Sequence, residues 1–404
     1  MKVSLPWRKR GPGLGRCRLG ALGALLGLGL QSWVQPLTSW AAPRLGVWLT
    51  NSPSPLYYDA GRIQQAVDEL AEAGFNTLYP NVWSRGATFH NSRWAPLEPA
   101  LRQANAGLDP ICRLTEAAHR RGLQVIPWFE YGLMEPAEAE VVRQHPEWVL
   151  QKLDGSSLTT MHGRTDRVWL NPAHPGVRQR FIGLISEIVQ RCGVDGIQLD
   201  DHFAWPVELG YDPYSRALYA QDTGRQPPDN YTDRAWMTWR RHRLTDLLNE
   251  LRDSLKRASK GRAYVSLSPG PFRFAYNNWL QDWEIWALGG LIEELVVQNY
   301  AYSLPGFTKD LDQPALRKAR TWGIPVEIGV LAGFGGRTTS LPMLRDKVQQ
   351  VNERGMGVIF FYWEGLWGQY SGPEGPQLRQ AGFRQINGLG GSVIGPGELP
   401  RLPR

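Results

Sequence analysis

The stretch VDGIQLDDHFAWP, Val194 to Pro206, ends a short apolar run in two adjacent aspartates, Asp200 and Asp201, followed by His202. Neighbouring carboxylates repel and neither is cheaply buried, so the pair marks either a turn or a reactive site at the end of a buried strand. Other apolar runs end in the same kinds of residue. One carries Asn81 and Trp83, a second Trp128, Glu130 and Tyr131, a third Gln298, Asn299 and Tyr300, and a fourth Trp363 and Glu364. Carboxylates, amides and large aromatics predominate, with almost no Lys or Arg. Aromatic faces stack on the apolar faces of sugar rings, while amides and carboxylates bind hydroxyls. A pair of carboxylates is the usual equipment for glycoside hydrolysis, one protonating the leaving oxygen and the other attacking the anomeric carbon or activating water. Phosphate chemistry would call for basic residues and helix N-termini, which are not prominent here.

Roles follow from position. Asp200, near the end of its strand, is the expected nucleophile or base. Glu364 or Glu130, each beside aromatics, is the expected acid. Asp201 should turn to the opposite side from Asp200 by strand alternation, unless the strand has ended, and so supports the charge, with His202 orienting the site. Trp83, Trp128, Tyr131, Tyr300 and Trp363 are candidate sugar platforms, and Asn81 and Asn299 candidate hydroxyl binders. Glu327 falls early in its run, which suits a buried structural carboxylate at the bottom of the fold. His202 has no second histidine nearby, so neither a metal nor another cofactor is expected.

These residues need elements that bring them together. Strand-like runs recur at 44–50, 75–83, 123–131, 196–203, 263–270, 294–300, 324–333 and 357–365, with helical patterns between them. In AGRIQQAVDELAEAG, for instance, Ile63, Val67 and Leu70 share one helical face. Gly74, Gly122, Gly193, Gly323 and Gly355 stand where such helices should stop. Eight strands alternating with helices predict an α/β fold, a (β/α)8 TIM barrel. An open doubly wound sheet would put a glycine-rich phosphate loop after the first strand, where NSPSPLYY stands instead. Long irregular segments follow the second, third and fourth strands, on the face where barrels build their sites.

The chain has 404 residues, 42% hydrophobic and 21% charged, as expected of a protein with a real core. Of its net charge of +7, six positive charges lie within residues 1–41, which contain no acid. The rest is near neutral, so no nucleic-acid partner is implied. That basic leader, its apolar segment LGALGALLGLGL and the ending SWAAP read as a signal peptide over 1–41, leaving no membrane span in the mature chain, with an uncleaved membrane anchor as the competing reading. An exported barrel over 42–386 and a disordered Gly/Pro-rich tail over 387–404 are expected to follow. An exported chain could join Cys112 and Cys192 in one disulfide, but on separate expected helices the two are read as buried thiols.

Five blocks in order, RLGVWLTN, LAEAGFNTLYPNVWSRG, VWLNPAHPGVR, VDGIQLDDHF and GVIFFYWEG, resemble the glycosyl hydrolase-like 10 family of bacterial barrel proteins. The resemblance covers roughly Arg44 to Gln385 and implies a barrel, export and a glycan substrate, in some members cell-wall glycan. GIQLD is similar to the G-x-x-x-D strand of several retaining barrel glycosidases, which points again to Asp200. Against the chitinase-like pattern D-G-x-D-x-D-x-E, Gln198 and His202 occupy the second Asp and the catalytic Glu positions, which disfavours that mechanism. SLSPGPF, after the fifth strand, lacks the amylase-like acid. The alternatives are a non-catalytic glycan-binding protein on the same scaffold and a metal-dependent hydrolase using His202.

Overall fold

The computed structural model describes residues 43–388, apart from 51–53, 105–108 and 162. The expected leader and the tail from residue 389 lie outside the described residues. All eight expected strands are present: β1 (Leu45–Leu49), β2 (Thr77–Pro80), β3 in two pieces (Gln124–Val125 and Trp128–Phe129), β4 (Gly196–Asp200), β5 (Tyr264–Ser268), β6 (Glu294–Asn299), β7 (Val326–Leu331) and β8 (Gly357–Phe361). Every pairing among them is parallel. The hydrogen-bonded order runs from the first half of β3 through β2, β1, β8, β7, β6, β5 and β4 to the second half of β3. Both ends of the sheet are therefore the same strand, and the barrel is closed. β3 divides at Pro127, which has no N–H to donate but whose carbonyl still accepts from Gln198 N at 2.7 Å.

The principal helices are α1 (Ala60–Glu72), α2 (Pro110–Arg120), α3 (Pro175–Cys192), α4 (Arg234–Ala258), α5 (Trp283–Leu288), α6 (Pro314–Thr321), α7 (Leu341–Asn352) and α8 (Pro376–Ile386). Helix α1 shows how sequence sets their bounds. Asp59 caps its first N–H groups, while Ile63, Ala66, Val67 and Leu70 form its buried stripe. Gly74, just past its end, takes φ +86°, a conformation open to glycine at little cost. No helix among the described residues is long and apolar enough to cross a membrane.

Two cores result from strand alternation. Residues facing the helices join one large cluster, while Trp48, Tyr79, Ile126, Trp128, Tyr264, Val296, Ile359 and Tyr362 pack together inside the barrel. Gln198 also points inward and is satisfied there: it accepts from Trp48 Nε1 at 2.6 Å and donates to Ser266 Oγ at 3.0 Å. At the strand N-termini, Arg44 pairs with Glu294 at 2.6 Å, and the Tyr79 hydroxyl donates to the same carboxylate. Glu327 accepts from Gly357 N at 2.7 Å. It is thus the structural carboxylate its position suggested.

Burial and the neighbouring Glu294 carboxylate push the Glu327 carboxyl up to about 8. In the unfolded chain it ionises near 4.5, so between these values unfolding releases a proton. The stability tied to the protonated group is present below pH 4.5 and is lost as pH rises towards about 8. Glu327→Gln is therefore expected to raise Tm relative to wild type at pH 8 by more than it does at pH 5. Equal differences in thermal scans at the two pH values would contradict this.

The segments after β2, β3 and β4 are long, as expected, but two of them are more ordered than their patterns suggested. After β3, residues Met134–Pro136, Arg164–Trp169 and Thr159–Met161 form a three-stranded antiparallel sheet, in that order. A helix, Pro213–Thr223, interrupts the segment after β4. The cysteine expectation is corrected: Cys112 and Cys192 form a disulfide between α2 and α3, with Cα atoms 4.4 Å apart. The two helices follow the consecutive strands β2 and β3, and the barrel order sets them side by side.

Candidate active site

Strand β4 stops at Asp200, and Asp201 belongs to the following turn. The alternation that would have sent Asp201 to the other face therefore does not apply. Both carboxylates approach one imidazole: His202 Nδ1 lies 3.6 Å from Asp200 Oδ1 and 3.8 Å from Asp201 Oδ1. The same nitrogen is 2.6 Å from the Glu130 carbonyl oxygen, which can only accept, so Nδ1 carries a proton. The Tyr131 and Trp169 rings flank the imidazole at 6.2 and 6.0 Å.

This meeting of the β3 and β4 ends depends on Gly132. It has φ +48°, and a Cβ there would lie 2.4 Å from the His202 carbonyl group. Leu133 N donates to that carbonyl at 3.0 Å. Any side chain at 132 would push the two strand ends apart.

Accessibility separates the two aspartates in the sense opposite to that expected. The Asp200 side chain is 2% exposed, that of Asp201 25%. Asp200 uses both oxygens inside the protein, accepting from Trp128 Nε1 and from His202 N, each at 2.9 Å. Gln281 Nε2 donates to its backbone carbonyl at 2.8 Å. The Asp201 carboxylate is partly open to solvent, with Gln298 Nε2 3.4 Å from Oδ1. Burial pushes the Asp200 carboxyl up to about 7, against the pull of His202. Burial works against charge on His202 as well, but Asp201 and Asp200 override it and raise the imidazole to about 10. At neutral pH the trio thus holds a cationic His202 between two carboxyl groups, one of them deeply desolvated. Three ligand-type groups lie within 4.8 Å of one another here. The imidazole nitrogen nearest the carboxylates is a protonated donor, so their arrangement is that of a charge-sharing network.

Glu130 sits beside this trio. Its backbone anchors His202, and its carboxylate accepts from Asn81 Nδ2 at 2.5 Å. Asn81, fully buried, also accepts from Trp83 N, so its role is to hold Glu130 and not to bind hydroxyls as expected. Trp128 is committed to Asp200. Its ring adjoins Phe361 at 6.2 Å, and Phe361 adjoins half-buried Tyr300 at 5.3 Å, which lines this end of the barrel with aromatic surface.

Other expectations are corrected. Trp83 is buried, donates to the Gly132 carbonyl and lies under Arg180, so it offers no open face. Asn299 turns outward and donates to the Phe307 carbonyl at 2.9 Å, holding its own loop. Trp363 and Glu364 line a different cavity, with α1, and not the wall around Asp201. Two participants had been given no role. Gln298 shares the inward parity of Val296, and Phe361 that of Ile359; counting parity along β6 and β8 would have found both.

Two aspartates and a histidine with an adjacent glutamate, at the C-terminal rim of a closed eight-stranded parallel barrel with aromatic walls, form the architecture of a glycoside-hydrolase barrel. The chain belongs to the Glycosyl hydrolase-like 10 family, which it matches over residues 44–351. It is 24% identical over 284 residues to the glycosyl hydrolase DigH of Escherichia coli, covering 59% of this chain and 58% of that protein. To the glycosyl hydrolase YngK of Bacillus subtilis it is 22% identical over 217 residues, 51% of this chain and 38% of the other. It thus spans little more than half the length of these relatives, or less. Among solved structures, the glycoside hydrolase domain of PgaB (BpsB) from Bordetella bronchiseptica superposes with a TM-score of 0.65 at 12% identity, over 87% of this chain and all of that one. The catalytic domain of a Paenibacillus polymyxa β-amylase gives 0.58 at 10% identity, over 85% and 97%. At these identities the likeness is one of fold.

Proposed function

We propose that this protein is an exported glycoside hydrolase acting on a polysaccharide of the cell-wall glycan type. The observation that carries the reading is Asp201, the partly exposed carboxylate of the β4 trio; Glu130, whose backbone carbonyl holds His202 and whose side chain is held by Asn81, is the second carboxylate at this rim. Asp201 attacks the anomeric carbon or activates water, and Glu130 protonates the leaving oxygen. Asp200 and His202 act through Asp201: the imidazolium, anchored by Asp200 and the Glu130 carbonyl, fixes its position. Tyr300 and Phe361 offer the apolar faces on which a pyranose stacks, and Phe334 and Tyr302, 59% and 64% exposed, extend aromatic surface outward on the loops after β7 and β6. Export is supported by two features, the basic-apolar leader in the sequence and the Cys112–Cys192 disulfide, a bond that persists in oxidising compartments. The names of the relatives are consistent with glycosidic chemistry.

The substrate class is tested by incubating the protein with peptide-free peptidoglycan strands, chitin, cellulose and starch and measuring new reducing ends. Release from the peptidoglycan strands above the other three is expected. Cleavage of starch or cellulose alone would remove the cell-wall assignment and leave the hydrolase.

A further inference from the structure

In the barrel order β4 and β8 are four strands apart by either route, so they lie on opposite sides. The segment after β8 and one face of α1 enclose a cavity of about 370 Å³, away from the trio. Trp363, Glu364 and Trp367 form one wall, and Arg62, Gln65 and Glu69 the other. The size falls within the range typical of small-molecule sites.

Two polar atoms of this wall lack hydrogen-bond partners, although both are buried: Glu364 Oε1, an acceptor, and Trp363 Nε1, a donor. Glu364 as a residue is only 5% exposed. Its other oxygen is tucked against Gly368, where a Cβ would lie 2.4 Å away, and is 3.5 Å from Gln369 N. Trp367 by contrast is satisfied, donating to Glu69 Oε2 at 2.9 Å. Buried polar groups are nearly always paired, so an orphaned acceptor and an orphaned donor in one cavity wall need an explanation. A buried core pair would have been replaced by apolar groups at little cost.

A pyranose ring meets these requirements together. It carries hydroxyls that donate to a carboxylate and accept from an indole N–H, and an apolar face that lies on a tryptophan. The terminal torsion of Glu364 is soft, so its carboxylate can reorient when a ligand binds. Arg62 and Gln65, exposed at the mouth, add donors for ring substituents. We propose that this cavity is a second glycan-binding site that holds one hexosamine unit of the polymer away from the reacting centre. The proposal rests on the glycan reading above for the identity of the ligand, not on hydrolysis.

The test uses the full chain carrying Asp201→Asn, so that ligand is not consumed, and N-acetylglucosamine tetramer as the probe in isothermal titration. Two equivalents are expected to bind. Trp363→Ala in that background should remove one of them, and Glu364→Gln, nearly isosteric, should weaken the same one by about tenfold. If the trio does not bind glycan, the starting protein binds one equivalent and Trp363→Ala binds none, so failure of the active-site reading is seen separately. Should Trp363→Ala fail to fold, Glu364→Gln decides alone. Unchanged stoichiometry and affinity in the variants, zero binding throughout included, would overturn the proposal.

Discussion

Asp201→Asn is expected to lower kcat on peptide-free glycan strands by about 10³-fold, in the range lost with a carboxylate that handles the reacting bond. The substitution keeps the shape of the side chain and its contact with Gln298, so glycan binding should change little. Asp200→Asn is expected to behave differently. Asp200 is enclosed, with both oxygens taken by Trp128 and His202. An amide there cannot accept at both positions, so one buried N–H donor loses its partner. Part of that loss should therefore appear as a lower Tm, at about 1–3 kcal/mol, and not in kcat alone. Steady-state kinetics and thermal scans on the two variants make the comparison. A larger kcat loss in Asp200→Asn at unchanged Tm, with Asp201→Asn nearly fully active, would return the chemistry to Asp200.

The second large effect concerns stability. The Cys112–Cys192 disulfide closes a loop across a sequence separation of 80 residues. Cross-links over loops of this size typically stabilise by about 4 kcal/mol, through the restriction they place on the unfolded chain. Replacing both cysteines with serine is expected to lower Tm by about 5 °C. Calorimetry of the double variant beside the oxidised wild type measures the difference. A Tm unchanged by both the substitution and by reductant would mean that the cysteines act as the free thiols their separation in sequence suggested.

The barrel was readable because its signal is redundant. Each of the eight strands is an apolar run, and helices such as α1 add a capping aspartate, a buried stripe and a terminal glycine. An error at one element would not have altered the fold. Individual site residues have no such redundancy. The side on which Asp201 falls depends on whether β4 ends at residue 200 or 201, and the end is set by the approach of Gly132 to the His202 backbone, a contact between distant segments. Asn299 and Gln298 are equally polar, and only their parity relative to Val296 decides which one faces the cleft. Trp83 looked like a platform by residue type, but Arg180, nearly a hundred residues away in sequence, covers it. The distinction between Glu130 and Glu364 was beyond the sequence for a similar reason. Glu364 stands after β8 in a short helix, Trp363–Leu366, that turns it towards α1.

The central claim, that Asp201 and Glu130 serve hydrolysis of a glycosidic bond, is tested most directly by letting wild-type protein act on peptide-free glycan strands in ¹⁸O-water. Mass spectrometry of the products should show one ¹⁸O at the anomeric carbon of each new reducing end, formed far more slowly by Asp201→Asn. Strands that bind the protein but gain no labelled ends would contradict the account and identify a glycan-binding barrel without catalysis.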